Sequence, residues 1–176
     1  MTIYINQKIV FLDFEASSLS NVSWPIEIGL SWIESGAIRT WSSLIQPHAK
    51  WDPNDWSPQS AKVHGIPRAT ISNAPHANDV LAQFLTTSAN TIVISDAPKF
   101  DQRWLDRLMG VQMDLPLTTI EDFHHAAFAT FDGYALDIVY ETLERRRAPH
   151  RAGPDSARLA QAWYAGLATL IADRNV

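Results

Sequence analysis

The chain has 176 residues, of which 46% are apolar and 19% charged, values typical of a soluble globular protein with a sizeable core. It lacks cysteine, which excludes disulfides and cysteine nucleophiles, and its net charge of −5 argues against a surface that coats nucleic acid broadly. No stretch approaches the roughly 18 apolar residues of a membrane span, and no secretory signal is apparent. We therefore expect one soluble, cytoplasmic domain over residues 1–176.

The first half of the chain predicts a buried strand followed by an antiparallel hairpin. The first strand is predicted over Lys8–Glu15, where four successive apolar residues are typical of burial on both faces. Strands over Ile26–Glu34 and Ala37–Ile45 are joined by the turn Ser35-Gly36. A short helix is predicted over Gln59–Val63.

The second half alternates helices with short strands. Its predicted strands cover Thr91–Ile94 and Leu115–Thr119. Its predicted helices cover Pro75–Thr87 with Asn73 as the capping residue, Lys99–Met109, Ile120–Thr130, Tyr134–Arg146 and, after a loop over Arg147–Ala152, Pro154–Asp173. This order predicts an α/β fold with a mixed five-stranded sheet, hairpin strands first and parallel strands after, flanked by helices on both faces.

Two acids end the first predicted strand. Asp13 and Glu15 are separated by one residue, so in a strand their side chains project from the same face. Such close carboxylates repel one another unless a cation lies between them, and oxygen ligands suit Mg²⁺ or Mn²⁺. The alternative is that the two acids mark the point where the strand meets water.

Three further residues are candidates for a chemical role. Asp101 and Asp155 each lie in the first turn of a predicted helix, where an acid also gains stability from the helix dipole. The same positions can direct a carboxylate toward the strand ends, where open α/β sheets place their sites. His150 lies in the loop before the last helix, and an ordinary histidine pKa near 6.5 suits a proton acceptor.

These residues carry a family resemblance. Asp13-x-Glu15, Asp101 followed by Leu105, and His150-x-x-x-x-Asp155 follow the order and spacing of the three motifs of DEDDh (DnaQ-like) 3′→5′ exonucleases, which include proofreading subunits of bacterial replicative polymerases. The resemblance extends from about Ile9 to Ala160. Secondary similarities occur at Pro25–Gly29, Val63–Ile66 and Leu136–Leu143.

The resemblance implies a ribonuclease H-like fold and a two-metal nuclease. It implies that Asp13, Glu15, Asp101 and Asp155 bind two divalent ions, Mg²⁺ or Mn²⁺, and that His150 is the general base. The implied substrate is the 3′ end of single-stranded DNA or RNA, which is shortened by one nucleoside 5′-monophosphate at a time.

Substrate contacts are expected in the turn after Glu15 and beside Asp101. The resemblance places Ala16, Ser17 and Leu19 at the terminal nucleotide, with Leu19 as a wedge between bases or, alternatively, a core residue. Phe100 is a further candidate for substrate binding. The sequence departs from the family where Asp96 replaces a frequent Asn and where Ala-Ser-Ser replaces a frequent pair of threonines.

Other conspicuous residues are predicted to be structural. His64 is expected in a turn, and of His124 and His125 one is expected to be buried and one exposed. Trp32, Trp41 and Trp163 are expected in the core, whereas one of the loop residues Trp24, Trp51 and Trp56 is a candidate for stacking on a base. Arg145, Arg146 and Arg147 are a solvated helix end or, with Lys99 or Arg103, a phosphate contact.

Three functions remain open from the residues alone. The first is an active exonuclease, and the second is a non-catalytic nucleic-acid-binding or polymerase-accessory module that retains the fold. The third, a phosphatase of the haloacid dehalogenase type, needs a second Asp at the position of Glu15. A homodimer or a polymerase partner is open, and the lack of a polymerase-binding extension after Val176 favours a freestanding enzyme.

Overall fold

A central strand carries the first two acids. In a computed structural model, which describes residues 4–5, 7–145 and 147–173, strand β1 (Ile9–Ala16) lies in the middle of a five-stranded sheet with the order β3-β2-β1-β4-β5. Strands β2 (Pro25–Glu34) and β3 (Ala37–Leu44) form the antiparallel hairpin, and β2 pairs antiparallel with β1. Strands β4 (Ile92–Ser95) and β5 (Ile120–Asp122) continue the sheet in parallel. The predicted mixed sheet is confirmed.

Alternation along β1 separates the two cores of the molecule. Val10, Leu12 and Phe14 join the apolar cluster on one face of the sheet, whereas Phe11 joins the cluster on the other face. Asp13 and Glu15 share the side of Phe11, because side chains two residues apart in a strand point the same way. The two acids therefore lie on the face that the C-terminal helices cover.

Helices cover both faces, as predicted. The first face is covered by residues of α2 (Arg68–Ile71), α3 (Ala77–Thr87) and α4 (Pro98–Met109), with α1 (Pro58–His64) at its edge. The second face is covered by α5 (Phe123–Thr130), α6 (Gly133–Glu144) and α7 (Ala152–Asp173). No helix within the described ranges has both the length and the apolar character needed to cross a bilayer.

The last helix packs directly on the hairpin. A Cβ atom placed on Gly29 of β2 would lie 2.0 Å from the carbonyl oxygen of Ala152, so only glycine permits this approach. One turn further along α7, the hydroxyl of Ser156 lies 2.9 Å from that of Ser31. These contacts place the first turn of α7 beside the acids of β1.

The predicted position of the fifth strand is wrong. The strand occupies Ile120–Asp122 rather than Leu115–Thr119, and Leu117 in the predicted segment is 94% exposed. Ile120 is instead buried beside β4, and its N–H donates to the side chain of Gln102. Asp122 then caps α5 by accepting from the N–H of His125.

Several helix limits also differ from prediction. Helix α3 begins at Ala77, and Asn73 does not cap it, because the N-cap position is His76 and the Asn73 N–H donates to Thr70 in a preceding turn. Helix α7 begins two residues before Pro154. The four-residue helix α2 was not predicted. Helix α6 ends at Glu144, and Arg146 lies outside the described residues.

Candidate active site

Three carboxylates converge at the end of β1. Oxygen atoms of Asp13, Glu15 and Asp155 all lie within 4.8 Å of one another. Asp13 and Glu15 come from adjacent same-face positions of β1, and Asp155 comes from the first turn of α7. The fold thus brings together acids that are about 140 residues apart in the chain.

Asp101 lies behind this cluster. It occupies the first turn of α4, only 1% exposed, and its Oδ2 atom is buried without a hydrogen-bond partner among the described residues. The negative charge of Asp101 acts on Asp13 and raises its pKa. All four acids that the sequence predicts for the site therefore belong to one electrostatic unit.

Burial and mutual repulsion strongly disfavour four negative charges here. Desolvation, and then the charges of Asp101, Glu15 and Asp155, raise the pKa of Asp13 well above its usual range. Burial and the nearby Asp155 raise the pKa of Glu15 to about 8, and burial raises the pKa of Asp101 to about 7. Burial also raises the pKa of Asp155.

The donor set fits hard divalent cations. Carboxylate oxygens are the ligands that Mg²⁺ and Mn²⁺ prefer, and a cation removes the repulsion that raises these pKa values. Asp101 Oδ2 and Asp155 Oδ1 are both buried without a hydrogen bond in the described part of the chain, so both oxygens have free acceptor capacity. The residues present therefore fit a divalent metal site.

His150 lies at the mouth of the cluster. It is exposed, and its backbone adopts a left-handed conformation with φ of 55° immediately before α7. Its charge contributes to lowering the pKa of Asp155, so the imidazole lies within electrostatic reach of that carboxylate. An exposed imidazole beside acidic ligands can accept a proton from a water molecule.

An ion pair between buried Glu27 and the more exposed Arg151 fixes the loop that carries His150. Glu27 is 3% exposed, and the guanidinium of Arg151 donates to both of its oxygens, at 3.0 Å from Nε and 2.6 Å from Nη2. Glu27 also accepts from the N–H of Ala152 at 3.0 Å, and the N–H of Arg151 donates to Asp155. Sequence reasoning missed this role of Glu27, although a charged residue within an otherwise apolar strand is a usable signal.

A second ion pair lies beside Asp155. Arg158 Nη2 lies 3.0 Å from Asp96 Oδ2, and Arg158 Nε lies 3.9 Å from Asp155 Oδ1. Asp96 is the residue that departs from the usual Asn of the resembled family. Arg158 was not predicted, and it places one positive charge next to the acids.

An open groove leads to the acids. Its volume is about 470 Å³, and its lining includes Glu15, Leu19, Trp56, His64 and Trp104. Leu19 is 67% exposed, so the alternative of a core residue is wrong. Ala16 also lines this groove. Phe100, 40% exposed, packs against Trp104 with ring centroids 5.9 Å apart.

Ser17 is placed differently from the other substrate-binding candidates. It is fully buried, its N–H donates to the carbonyl of Trp24, and its hydroxyl accepts from the Trp24 N–H. Its hydroxyl also lies 3.4 Å from Asp55. These bonds stabilise the turn that presents Leu19, so Ser17 supports the groove from behind instead of lining it.

His64 is closer to the site than the sequence suggested. Its Nδ1 accepts from the N–H of Ile66 at 3.0 Å, as expected for a structural turn, and burial lowers its pKa. Its other nitrogen, Nε2, is buried without a partner among the described residues, and the residue lines the groove beside Glu15. A neutral ring that accepts at Nδ1 carries its hydrogen at Nε2, which is therefore a free donor.

Burial decides between the alternatives for the remaining tryptophan and histidine residues. Trp24 and Trp51 are buried and stack on each other with centroids 6.0 Å apart, so Trp56 is the loop tryptophan left to contact a base. His124 and His125 are both exposed, so the predicted buried partner is wrong. Trp163 is buried as predicted, whereas Trp32 and Trp41 are half-buried against the core.

Known proteins are similar to this chain over most of its length. The sequence profile of the RNase T family, described as exonuclease, matches residues 10–162. DNA polymerases III of the PolC type from Thermotoga petrophila and Thermotoga maritima are 30% and 29% identical over 161 and 157 residues, covering 88% and 85% of this chain. The chain spans 11% of each polymerase.

Solved structures share the fold. The nuclease domain of 3′hExo, a DEDDh family member bound to rAMP, superposes with a TM-score of 0.70 at 15% identity over 94% of both chains. The zinc-bound complex of Escherichia coli ExoI with single-stranded DNA gives a TM-score of 0.68 at 11% identity, over 93% of this chain and 41% of that one.

Proposed function

Because the chain belongs to the RNase T exonuclease family, we propose that it is a metal-dependent 3′→5′ exonuclease acting on single-stranded DNA or RNA. The observation that carries this proposal is the convergence of Asp13, Glu15 and Asp155 within 4.8 Å, beside an open groove that Glu15 lines. Buried Asp101 and exposed His150 complete the set of residues that phosphodiester hydrolysis requires.

The four acids would hold two divalent ions, Mg²⁺ or Mn²⁺. When bound, such ions stabilise the charge that develops on the attacking and leaving oxygens of a phosphodiester and lower the pKa of water. Asp13, whose carboxylate lies within 4.8 Å of those of Glu15 and Asp155, would be a ligand shared by such ions. The ion pair between Arg151 and Glu27 holds Asp155 and the loop that carries His150 in position.

His150 acts as the general base. It takes a proton from the water whose oxygen attacks the terminal phosphorus atom, and the bond from that phosphorus to the 3′ oxygen of the preceding nucleotide breaks. That oxygen leaves as a new 3′-hydroxyl after gaining a proton from solvent, and the product is a nucleoside 5′-monophosphate. The exposure of His150 allows it to return its proton to water between turnovers.

The groove beside Glu15 accepts the terminal nucleotide. Trp56 and His64 supply an aromatic face and a free Nε2 hydrogen, and exposed Leu19 is placed to separate the last base from its neighbour. Aromatic stacking tolerates every base, which suits an enzyme that removes nucleotides in sequence.

The direct test is digestion of 5′-labelled single-stranded DNA and RNA in Mg²⁺ or Mn²⁺, with identification of the released nucleotide. A ladder that shortens from the 3′ end, with 5′-monophosphates as products, is expected from the wild-type protein. The Asp13→Asn variant, similar in size but uncharged, should leave both substrates intact. Cleavage that persists in this variant, or that starts within the strand, would contradict the proposal.

A second candidate is a weakly catalytic polymerase-accessory module. The 30% identity to a PolC-type DNA polymerase favours it, because that region of sequence lies within a replicative polymerase. The two candidates differ in turnover. An accessory module would bind a 3′-ended strand with equal affinity in the wild-type protein and in Asp13→Asn, and would release nucleotides at similar background rates from both.

A further inference from the structure

A second groove, here called the basic groove, lies on the outer side of α4. It has a volume of about 520 Å³ and is lined by Lys50, Lys99, Arg103 and Arg107, together with Trp51 and Asp106. Thus four of the 14 lysine and arginine residues of a chain with net charge −5 converge on one surface. Such a local excess of positive charge attracts polyanions.

The groove has a net positive charge, because its described lining contains four cations and one acid. Among the described residues, none of the five ion pairs involves any of the four cations. Arg103 donates to the side chain of Asn21 at 3.2 Å and Arg107 to its carbonyl at 3.5 Å, both neutral acceptors. Asp106, the acid in the lining, accepts from Gln102 at 2.8 Å.

The basic groove adjoins the groove that leads to the acids. The turn from Leu19 to Asn21 separates them, and Arg103 ties this turn to α4 by donating to the Leu19 carbonyl at 3.4 Å. The guanidinium of Arg103 lies 5.7 Å from the ring of Trp104, which lines the first groove, and 5.2 Å from the ring of Phe100. Arg103 therefore joins the two grooves, because it contacts Leu19 and Trp104 of the first groove and lines the basic groove.

The spacing of the cations suits a strand. Lys99, Arg103 and Arg107 recur every four residues of α4, which places them on neighbouring turns about 6 Å apart along the axis. This separation is similar to that of successive phosphates in an extended single strand. Lys50, from the loop after β3, lines the same groove.

We infer that the basic groove binds the phosphates of the single strand upstream of the bond being cut. The inference rests on the proposed function, because it takes the 3′ end to lie at the acids. Its ligand is the phosphodiester backbone that DNA and RNA share, so affinity should increase with strand length and decrease with salt concentration.

The test compares two double variants with the same change of charge. Lys50→Gln/Lys99→Gln removes two cations whose side chains form no hydrogen bond or ion pair within the described part of the chain. Lys8→Gln/Arg39→Gln, the control, removes two exposed cations remote from both grooves. Thermal unfolding of both establishes that they are folded.

The first readout is binding of 5′-fluorescein 12-mers of DNA and of RNA in EDTA, which prevents hydrolysis. The plot of log Kobs against log salt concentration has a negative slope. For Lys50→Gln/Lys99→Gln, here called the groove variant, this slope should become less steep by about 1.4, since each phosphate contact with a single strand contributes about 0.7. The control should retain the wild-type slope. An unchanged slope in the groove variant would overturn the inference, and so would a change confined to RNA or to DNA, which indicates recognition of the sugar.

The second readout is turnover in Mg²⁺ or Mn²⁺. The ratio of kcat/KM for a 12-mer to that for a dinucleotide should fall about tenfold in the groove variant, through KM, because a dinucleotide has no upstream phosphate. Equal losses on both substrates would overturn the inference. If the wild-type protein cleaves neither substrate, the proposed exonuclease fails, while the change in salt slope still decides whether the groove binds the strand.

Discussion

The carboxylates at the end of β1 destabilise the metal-free protein. Burial and the adjacent Asp155 raise the pKa of Glu15 to about 8, far above its ordinary value near 4.5. A carboxyl whose pKa is raised in the folded state binds more protons when folded than when unfolded. Its contribution to stability is therefore complete at low pH and is lost as the pH rises toward the folded pKa.

This argument predicts a pH-dependent effect of neutralising Glu15. In EDTA, Glu15→Gln should be more stable than the wild type at pH 8, by about 1 kcal/mol or more, because one pKa unit corresponds to about 1.4 kcal/mol. The difference should shrink toward pH 5, where the wild-type carboxyl is protonated when folded. Urea unfolding across this range measures it. A constant difference, or one equal to that of the exposed control Glu144→Gln, would contradict the predicted linkage.

His150 should affect the rate without affecting metal affinity. We expect His150→Ala to lower kcat by about 10²–10⁴-fold, the usual effect of losing a general base. Calorimetric titration with Mn²⁺ should give an affinity close to that of the wild type, since the proposed ligands are carboxylates. His125→Ala, which removes an exposed imidazole on α5, is the control. Unchanged turnover in His150→Ala would remove it from the mechanism.

At the scale of elements, local signals and long-range contacts differ in predictability. The strand that carries Asp13 and Glu15 is evident from its apolar run, and the family resemblance, confirmed by the RNase T match, relates it to the acids of α4 and α7. Strand β5 has three residues and is defined by pairing with β4, so its own sequence carries little information. The Glu27–Arg151 pair joins residues 124 positions apart, which no local pattern encodes.

The Glu27–Arg151 pair gives the next prediction. Glu27→Gln should lower the free energy of unfolding by about 1–3 kcal/mol, because it removes a buried charged acceptor that binds the Arg151 guanidinium and the Ala152 N–H. It should also lower kcat with DNA or RNA, since the same carboxylate accepts from Ala152 at the start of α7. Urea unfolding and initial rates measure the two effects.

A surface ion pair provides the matched comparison. Glu34→Gln breaks the exposed pair with Arg39, at 3.3 Å, and should change stability by less than about 1 kcal/mol. If both variants had equally small effects, the Glu27–Arg151 pair would not position the loop that carries His150.

At the scale of the whole molecule, charge is segregated. The acids converge at the end of β1, while four cations and a single acid line the outer side of α4. A polyanionic substrate is attracted by the second region and repelled by the first until cations bind there. Divalent metal should therefore control both the stability of the fold and the approach of the substrate's 3′ end.

Divalent cations should stabilise the whole protein. A ligand present at 100 times its Kd and bound only by the folded state adds about 2.7 kcal/mol, which corresponds to a rise in Tm of roughly 5–10 °C for a chain of this size. The rise in Tm should be larger at pH 8 than at pH 6, because at the lower pH protons compete with the metal for the carboxylates of Glu15 and Asp101. Differential scanning calorimetry with Mg²⁺ or Mn²⁺, against Na⁺ at equal ionic strength, measures it. Asp13→Asn should lose most of the rise and the exposed control Asp137→Asn should keep it, whereas equal shifts in both variants would place the bound cations elsewhere on the protein.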